Sequence, residues 1–337
     1  MKQKLRWMVV WLLGCFAVNV HGGEGAVVGG RTMGTTWEVK WREVAADTNV
    51  MQSAISAQLQ RLERQFSTYR PDSELSRFNT QATTNWIPVS PELAQVGRVA
   101  RMVSEITQGT FDVTVDPVVR AYGFGPAEPK LSLAEARQHV DWRRLEVRGE
   151  PPAWRKAEAR LSVDCSGIAK GYAADVVSDW LLREGVTNHL VQIGGEVRAF
   201  GNSGGSAGGW RVGVQRPALE GLVIELALPL REASLSTSGN YHNTRVIDGT
   251  RRGHIIDPRS GRPVDGPLMG VSVVHTSGTM ADALAKGCFV LGPTEGMKLA
   301  EEQHLAVLYL IRQDREARQI MSSAFRKLLA DDPGVQP

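Results

Sequence analysis

The sequence is poor in the features that mark several classes of protein. Cysteine occurs only three times in 337 residues, at Cys15, Cys165 and Cys288, and there is no Cys/His metal cluster. Positive charge is spread out: the formal balance is +3 without a long basic block, so nucleic acid is not indicated as a partner. The glycine trio that opens a helix on dinucleotide-binding doubly wound sheets is missing. No internal repeat of useful identity is present. The leading apolar run, residues 7–18, is too short and wrongly flanked to remain as a membrane-spanning helix. What is left is an ordinary folded composition, 42% hydrophobic and 22% charged, in a chain long enough for one large domain or two interleaved ones.

Lys2, Lys4 and Arg6 precede that apolar run, which is the pattern of an export signal. Residues 1–22 therefore read as a signal peptide, and the mature protein as periplasmic. Cleavage near Gly22 is one end point. The other is lipoprotein processing at Leu12-Leu13-Gly14-Cys15, which would tether the protein to the inner membrane through a lipid on Cys15. Against it, apolar residues continue past Cys15 and leucine is not the usual small residue before the glycine. In that oxidising compartment Cys165 and Cys288 have three readings: a disulfide, a catalytic thiol at Cys165 beside Asp164, or small buried hydrophobes. Their place inside packed βα units favours the last.

Beyond the leader the pattern is mixed. Residues 35–41 alternate as a strand with Trp37, Val39 and Trp41 on one face, and a helix follows over residues 49–66. Ser90-Pro91-Glu92 opens a second helix, with serine as N-cap and proline at the first helical position, running to Ile106. Ser132 and Glu135 have capping-box spacing for a short helix within residues 131–140. From Leu161 onward strands dominate, over residues 190–193, 197–200, 210–215, 222–230 and 233–236. The glycine-rich run 201–209 reads as a hairpin loop. Such short spacing predicts antiparallel sheets with helices packed on one face, an α+β architecture. The domain spans residues 27–312, and the charged residues 313–337 read as a surface helix and tail.

The most informative stretch is Asp164-Cys165-Ser166-Gly167-Ile168-Ala169-Lys170-Gly171-Tyr172. An apolar strand over residues 160–163 ends in an acid, a glycine-bearing turn follows, and a helix runs over residues 168–184. Free N–H groups at such a helix start favour phosphate, with Lys170 as a mobile cation and Asp164 as a carboxylate beside it. A capped turn with a solvated lysine is the plainer reading. A second strand–loop–helix unit lies downstream, a strand over residues 271–274 followed by Thr279-Met-Ala-Asp-Ala-Leu-Ala-Lys-Gly-Cys-Phe-Val-Leu-Gly292.

Between the two units lie Leu235-Ser-Thr-Ser-Gly-Asn-Tyr241 and Gly253-His-Ile-Ile-Asp-Pro-Arg-Ser-Gly-Arg-Pro263. Upstream are Met33-Gly-Thr-Thr-Trp37, Phe66-Ser-Thr-Tyr-Arg-Pro-Asp-Ser-Glu-Leu-Ser-Arg-Phe-Asn79 and Gly109-Thr-Phe-Asp-Val-Thr-Val-Asp-Pro117. In this order, over residues 33–292, the segments closely resemble the FAD:protein FMN transferase family, the ApbE-type flavin transferases.

That resemblance implies a T-fold-like α+β architecture and the transfer of FMN from FAD to a threonine or serine hydroxyl of an acceptor flavoprotein, with AMP as leaving group. The implied partners are FAD and the acceptor domain of a membrane redox complex. The implied cofactor is Mg²⁺, held by Asp282, by the carbonyl of Gly167 and by a threonine four residues after the aspartate. Here that position is Lys286, whose ammonium cannot ligate a metal. Three outcomes follow: Lys286 turns away and water fills the coordination site, its ammonium stands in for the metal beside the pyrophosphate, or flavin is bound without turnover.

The resemblance further places Met33 and Tyr69 at the flavin, Thr110, Phe111 and Asp112 at the nucleotide, Asp164 and Lys170 beside the phosphates, Ile255 at a backbone contact and Ala285 on the metal-bearing helix. His254 is the candidate general base, since histidine titrates near neutrality. Holding the Asp257-Pro258 turn is its plainer role, as core packing is for Met33 and a turn position for Tyr69. Residues 236–238 with Tyr241 are a candidate acceptor-side wall. The competing functions are a non-catalytic flavin-binding or delivery protein and a hydrolase cleaving FAD to FMN and AMP.

Overall fold

The alternation of Trp37, Val39 and Trp41 builds β2 (Thr35–Arg42), which pairs with β1 (Gly25–Thr32) and buries all three side chains. The chain is described here by a computed structural model that covers residues 25–44, 46–126, 131–204, 208–218, 221–240, 243–247, 249–313 and 316–330. Residues 1–24 with Cys15, Tyr241 and the end of the tail lie outside the described residues. In α1 (Thr48–Phe66), Asp47 accepts from the Asn49 and Val50 N–H groups, and Met51, Ile55, Leu59, Leu62 and Phe66 form the buried stripe. Ser73 caps α2 (Glu74–Thr80), which leads to β3 (Ile87–Pro88).

Ser90 caps α3 (Pro91–Ile106) as its Ser-Pro start predicts. After α4 (Asp116–Ala121), the Ser132/Glu135 capping box forms on α5 (Leu133–Arg137). β4 (Leu145–Gly149) and β5 (Pro152–Lys156) join β3 in a small antiparallel sheet, order β3-β5-β4. Its Trp154 indole lies on Gly97 of α3, where a Cβ would come within 2.7 Å of Nε1.

The second half of the chain supplies most of the main sheet. α6 (Ala169–Arg183) precedes β6 (His189–Ile193), β7 (Glu196–Phe200), the hairpin β8 (Trp210–Ala218)–β9 (Gly221–Leu230), and β10 (Ala233–Ser238). Two short ribbons follow, β11 (Thr244–Ile247) with β12 (Thr250–Gly253), and β13 (Ile256–Asp257) with β14 (Arg262–Pro263). Then come β15 (Leu268–His275), α7 (Gly278–Glu302), β16 (Ala306–Gln313), β17 (Glu316–Met321) and α8 (Ser323–Ala330). The eight-stranded sheet runs β1-β2-β6-β7-β10-β15-β16-β17 with every neighbour antiparallel.

Both faces of this sheet are apolar. Along β16, Val307 and Tyr309 enter one core while Ala306, Leu308 and Leu310 enter the other, as the two-residue period of a strand requires. Helices α1, α3, α6 and α7 cover the first face. The β8–β9 hairpin, through Trp210, Val212, Val214, Leu228 and Leu230, covers the second together with Phe325 of α8.

Three local expectations change. Residues 160–163 form no strand: Arg160 lies in a turn, and the Asn79 side chain bonds both the Val163 N–H and the Val163 carbonyl at 2.8 Å, so a side-chain amide replaces a neighbouring strand. The run 201–209 does not close a hairpin, because β7 pairs with β6 and β10 whereas β8 pairs with β9. The charged stretch beyond Gln313 is more than a surface helix and tail. It adds the edge strand β17, and α8 buries Phe325 in the second core.

Candidate functional site

The site begins where α6 and α7 touch. Gly171 and Gly278 meet without side chains: a Cβ on Gly171 would lie 2.1 Å from the Gly278 oxygen and 2.8 Å from the Asp282 Cβ. This closeness lets Asp282 accept the Gly171 N–H at 3.0 Å. It also lets Asp175 of α6 hold the start of α7. One Asp175 oxygen accepts the Gly278 N–H at 2.7 Å, and the other accepts from the Thr279 N–H, the Thr279 hydroxyl and the Ser277 hydroxyl at 2.8–3.0 Å. A carboxylate at a helix N-terminus is favoured by both hydrogen bonding and the helix dipole.

Beside this crossing lies a cavity of about 290 Å³. Most of the residues singled out by sequence line it: Tyr69, Thr110, Phe111, Asp112, Asp164, Gly167, Lys170, His254, Ile255 and Lys286. Three do not. Met33 sits at φ 47° in the β1–β2 turn, with its N–H bonded to Glu63, and packs on the first core. Ala285 is fully buried in that core. Asp282 lies one helical turn below Lys286 on α7 and is turned toward α6.

Several lining residues face the cavity differently from expectation. The Asp112 carboxylate is spent on the chain, accepting from the Thr114 N–H and hydroxyl and from the Trp142 N–H; burial nevertheless pushes its pKa up to about 6. The Thr110 hydroxyl bonds the Thr107 and Gly287 carbonyls, which ties this loop to α7. Ile255 offers no free backbone, because its N–H donates to Asn240 and its carbonyl accepts from Val264. The start of α6 is also largely committed: the Ile168 and Ala169 N–H groups donate to the Cys165 carbonyl, and Gly171 donates to Asp282. Asp164 bonds the Ser166 N–H and hydroxyl. The bare helix N-terminus proposed for phosphate is thus mostly absent, and positive charge at the cavity comes from side chains.

Cys165 and Cys288 are both free and buried. Burial and then Asp164 push the Cys165 thiol up, away from nucleophile character. The Asp257-Pro258 turn is held by Asp257, whose carboxylate accepts the Arg259 N–H at 2.9 Å. His254 instead faces the cavity, edge-on to Phe124 with ring centroids 6.4 Å apart. Tyr69, exposed at the mouth, donates its hydroxyl to the Phe124 carbonyl at 3.2 Å. Phe124, Asn243 and Glu196 are additions that no local motif signals.

Two lysines define the electrostatics. Lys170 is ion-paired with the buried Glu196. Burial would lower the Lys170 pKa, but the Asp282 and Glu196 carboxylates raise it overall. Lys286 lowers its pKa through burial and then the Lys170 charge, against Asp282, Glu196 and Asp164. Its Cε lies 3.4 Å from where a Gly167 Cβ would stand, so the stem rests on the Gly167 backbone and does not turn away. The donor set does not fit the Mg²⁺ site that the resemblance implies. Asp282 accepts the Gly171 N–H through one oxygen, and where the resemblance puts a threonine hydroxyl the Lys286 stem, which offers no oxygen ligand, lies against Gly167. Among the described residues no group of three His, Cys, Asp or Glu side chains is arranged to hold a metal.

The comparisons place this antiparallel sheet and helix crossing among flavin-transferring scaffolds. The sequence model of the ApbE family matches residues 33–309, and the chain belongs to that family. The FAD:protein FMN transferase of Vibrio cholerae is 36% identical over 95% of this chain and 99% of its own length. The Escherichia coli K12 protein of the same description is 30% identical over 93% and 92%. The solved flavin transferase ApbE of Vibrio cholerae superimposes with a TM-score of 0.82 at 35% identity, covering 91% of this chain and 100% of that one. The Pseudomonas stutzeri flavinyl transferase ApbE, apo form, gives 0.81 at 32% identity, over 92% and 98%.

Proposed function

We propose that this protein transfers FMN from FAD to a threonine or serine hydroxyl of an acceptor protein and releases AMP. The observation that carries the reading is the convergence of Lys170, Lys286 and His254 on one cavity with aromatic walls. The names of its relatives, FAD:protein FMN transferases matched over more than nine-tenths of their own length, support the same reaction. The acceptor oxygen bonds to the phosphorus on the FMN side, the pyrophosphate P–O bond breaks, and AMP leaves with the electron pair. Such transfer depends on positioning and charge neutralisation more than on covalent help from the enzyme. His254 takes the hydroxyl proton, Lys170 and Lys286 face the phosphates, and Tyr69, Phe111 and Phe124 offer ring faces to the flavin.

The acceptor is a domain of a membrane redox complex facing the periplasm, a location supported by the basic-then-apolar pattern of residues 1–22. Lipid attachment at Cys15 is the alternative end of that segment. Mg²⁺ belongs to the reading only as a charge on the nucleotide, since the protein's own donors do not fit it. The test is incubation with FAD and an acceptor flavoprotein domain, following acceptor mass and AMP. Acceptor gaining the mass of FMN, with AMP in equal amount, is expected. His254→Ala should lower the rate by about 10²–10⁴-fold with FAD binding kept. FMN and AMP released without an acceptor would make the protein a hydrolase instead, and FAD binding with neither product would leave a flavin carrier.

A further inference from the structure

Four charged groups are packed where α6, α7 and β7 meet: Lys170 and Lys286, Glu196 and Asp282. The Asp282 and Glu196 carboxylates favour the charged form of both lysines, and Asp164 adds a third carboxylate near Lys286. The four groups are not equivalent. Lys170 is ion-paired to Glu196, and Asp282 is hydrogen-bonded to the Gly171 N–H. Lys286 has no ion pair or hydrogen bond among the described residues, yet it lines the cavity with its stem laid over Gly167. The start of α6 has largely spent its N–H groups, so an anion in this cavity finds its partner in the one unpaired ammonium. An uncharged side chain in its place would add one negative charge to these surroundings, which a divalent cation would offset. Lys286 supplies positive charge there without one.

Resting on the FMN-transfer reading, we infer that Lys286 is a built-in counter-ion for the FAD pyrophosphate, which makes flavin-nucleotide binding independent of divalent metal in this protein. FAD affinity should be measured by flavin fluorescence in EDTA and in millimolar Mg²⁺, for the wild type, Lys286→Met and Lys286→Thr. The wild type should bind within about twofold under the two conditions. Lys286→Met, which keeps the stem and loses the charge, should bind about 10–100-fold more weakly in both, as loss of a charge-assisted contact predicts. Lys286→Thr should bind poorly in EDTA and regain about tenfold or more with Mg²⁺. The wild-type titration needs no variant to fold, and a wild type gaining about tenfold from Mg²⁺ overturns the inference. So does a Lys286→Met protein that binds FAD as the wild type does. Metal-free FAD binding with an unmodified acceptor would sink the transfer reading alone; acceptor modification together with FAD binding that requires Mg²⁺ would sink the counter-ion alone.

Discussion

Replacing Asp175 with alanine should cost a substantial part of the stability of this protein. The side chain holds the first turn of α7 from a neighbouring helix, accepting the Gly278 and Thr279 N–H groups and the Ser277 and Thr279 hydroxyls. The hydroxyls rotate to other acceptors, but the two amides are orphaned at a buried helix start. With about 1–3 kcal/mol for each unsatisfied donor, and part of the helix-dipole term lost as well, the expected loss is about 3–4 kcal/mol. Asp175→Asn keeps the shape and half of the acceptors, and should lose about 1–2 kcal/mol. Urea midpoints for the three proteins measure this, and amide exchange at residues 278–281 should quicken in both variants. Because α7 carries Asp282 and Lys286, FAD affinity should fall in the same order. An Asp175→Ala midpoint equal to the wild type would refute the idea that this cap positions α7.

Gly171→Ala should lower stability by about 1–3 kcal/mol and weaken FAD binding, since its Cβ would stand 2.1 Å from the Gly278 oxygen and force α6 from α7. Gly195→Ala, where a Cβ meets nothing within 4 Å, should be neutral in the same urea titration. Lys156 is fully buried, with its ammonium bonded to the Asn79 and Gln81 carbonyls, and burial lowers its pKa from 10.5 to about 8. Between those values the folded protein binds fewer protons here than the unfolded chain. Stability from this group therefore rises with pH across the window, by about 3 kcal/mol at most. Urea midpoints at pH 7.5 and 10 should differ less for Lys156→Met than for the wild type, and an equal pH response would remove Lys156 as its source.

The elements legible in the sequence are those whose information is local. The Ser90-Pro91 start, the Ser132/Glu135 box and the helix over residues 49–66 all rest on near neighbours in sequence, and all form as read. The misreadings share one cause, a partner supplied from far along the chain. Residues 160–163 look like a strand, but the Val163 backbone is completed by Asn79, about eighty residues away. The charged tail hides a strand because β17 needs only β16 beside it and keeps its polar side chains outward.

The same distinction explains the site. Short motifs say which segments reach the cavity, and ten of the thirteen singled-out residues line it. They do not say which atoms face inward: Asp112, Ile255 and Thr110 reach the cavity with their polar groups already spent on the fold. Nor do they reveal partners of opposite charge in another strand, such as Glu196 for Lys170, or a cap from another helix, such as Asp175. Lys286 shows why this matters for chemistry. Read alone, it is a lysine where a ligand belongs, and equally consistent with a lost activity. Placed beside a Lys170 already neutralised by Glu196 and an Asp282 already hydrogen-bonded to α6, it becomes the unpaired charge at the cavity. A buried ammonium without a partner is costly unless an anion completes it. On the counter-ion inference, a bound pyrophosphate completes the half-buried Lys286 ammonium and offsets that cost.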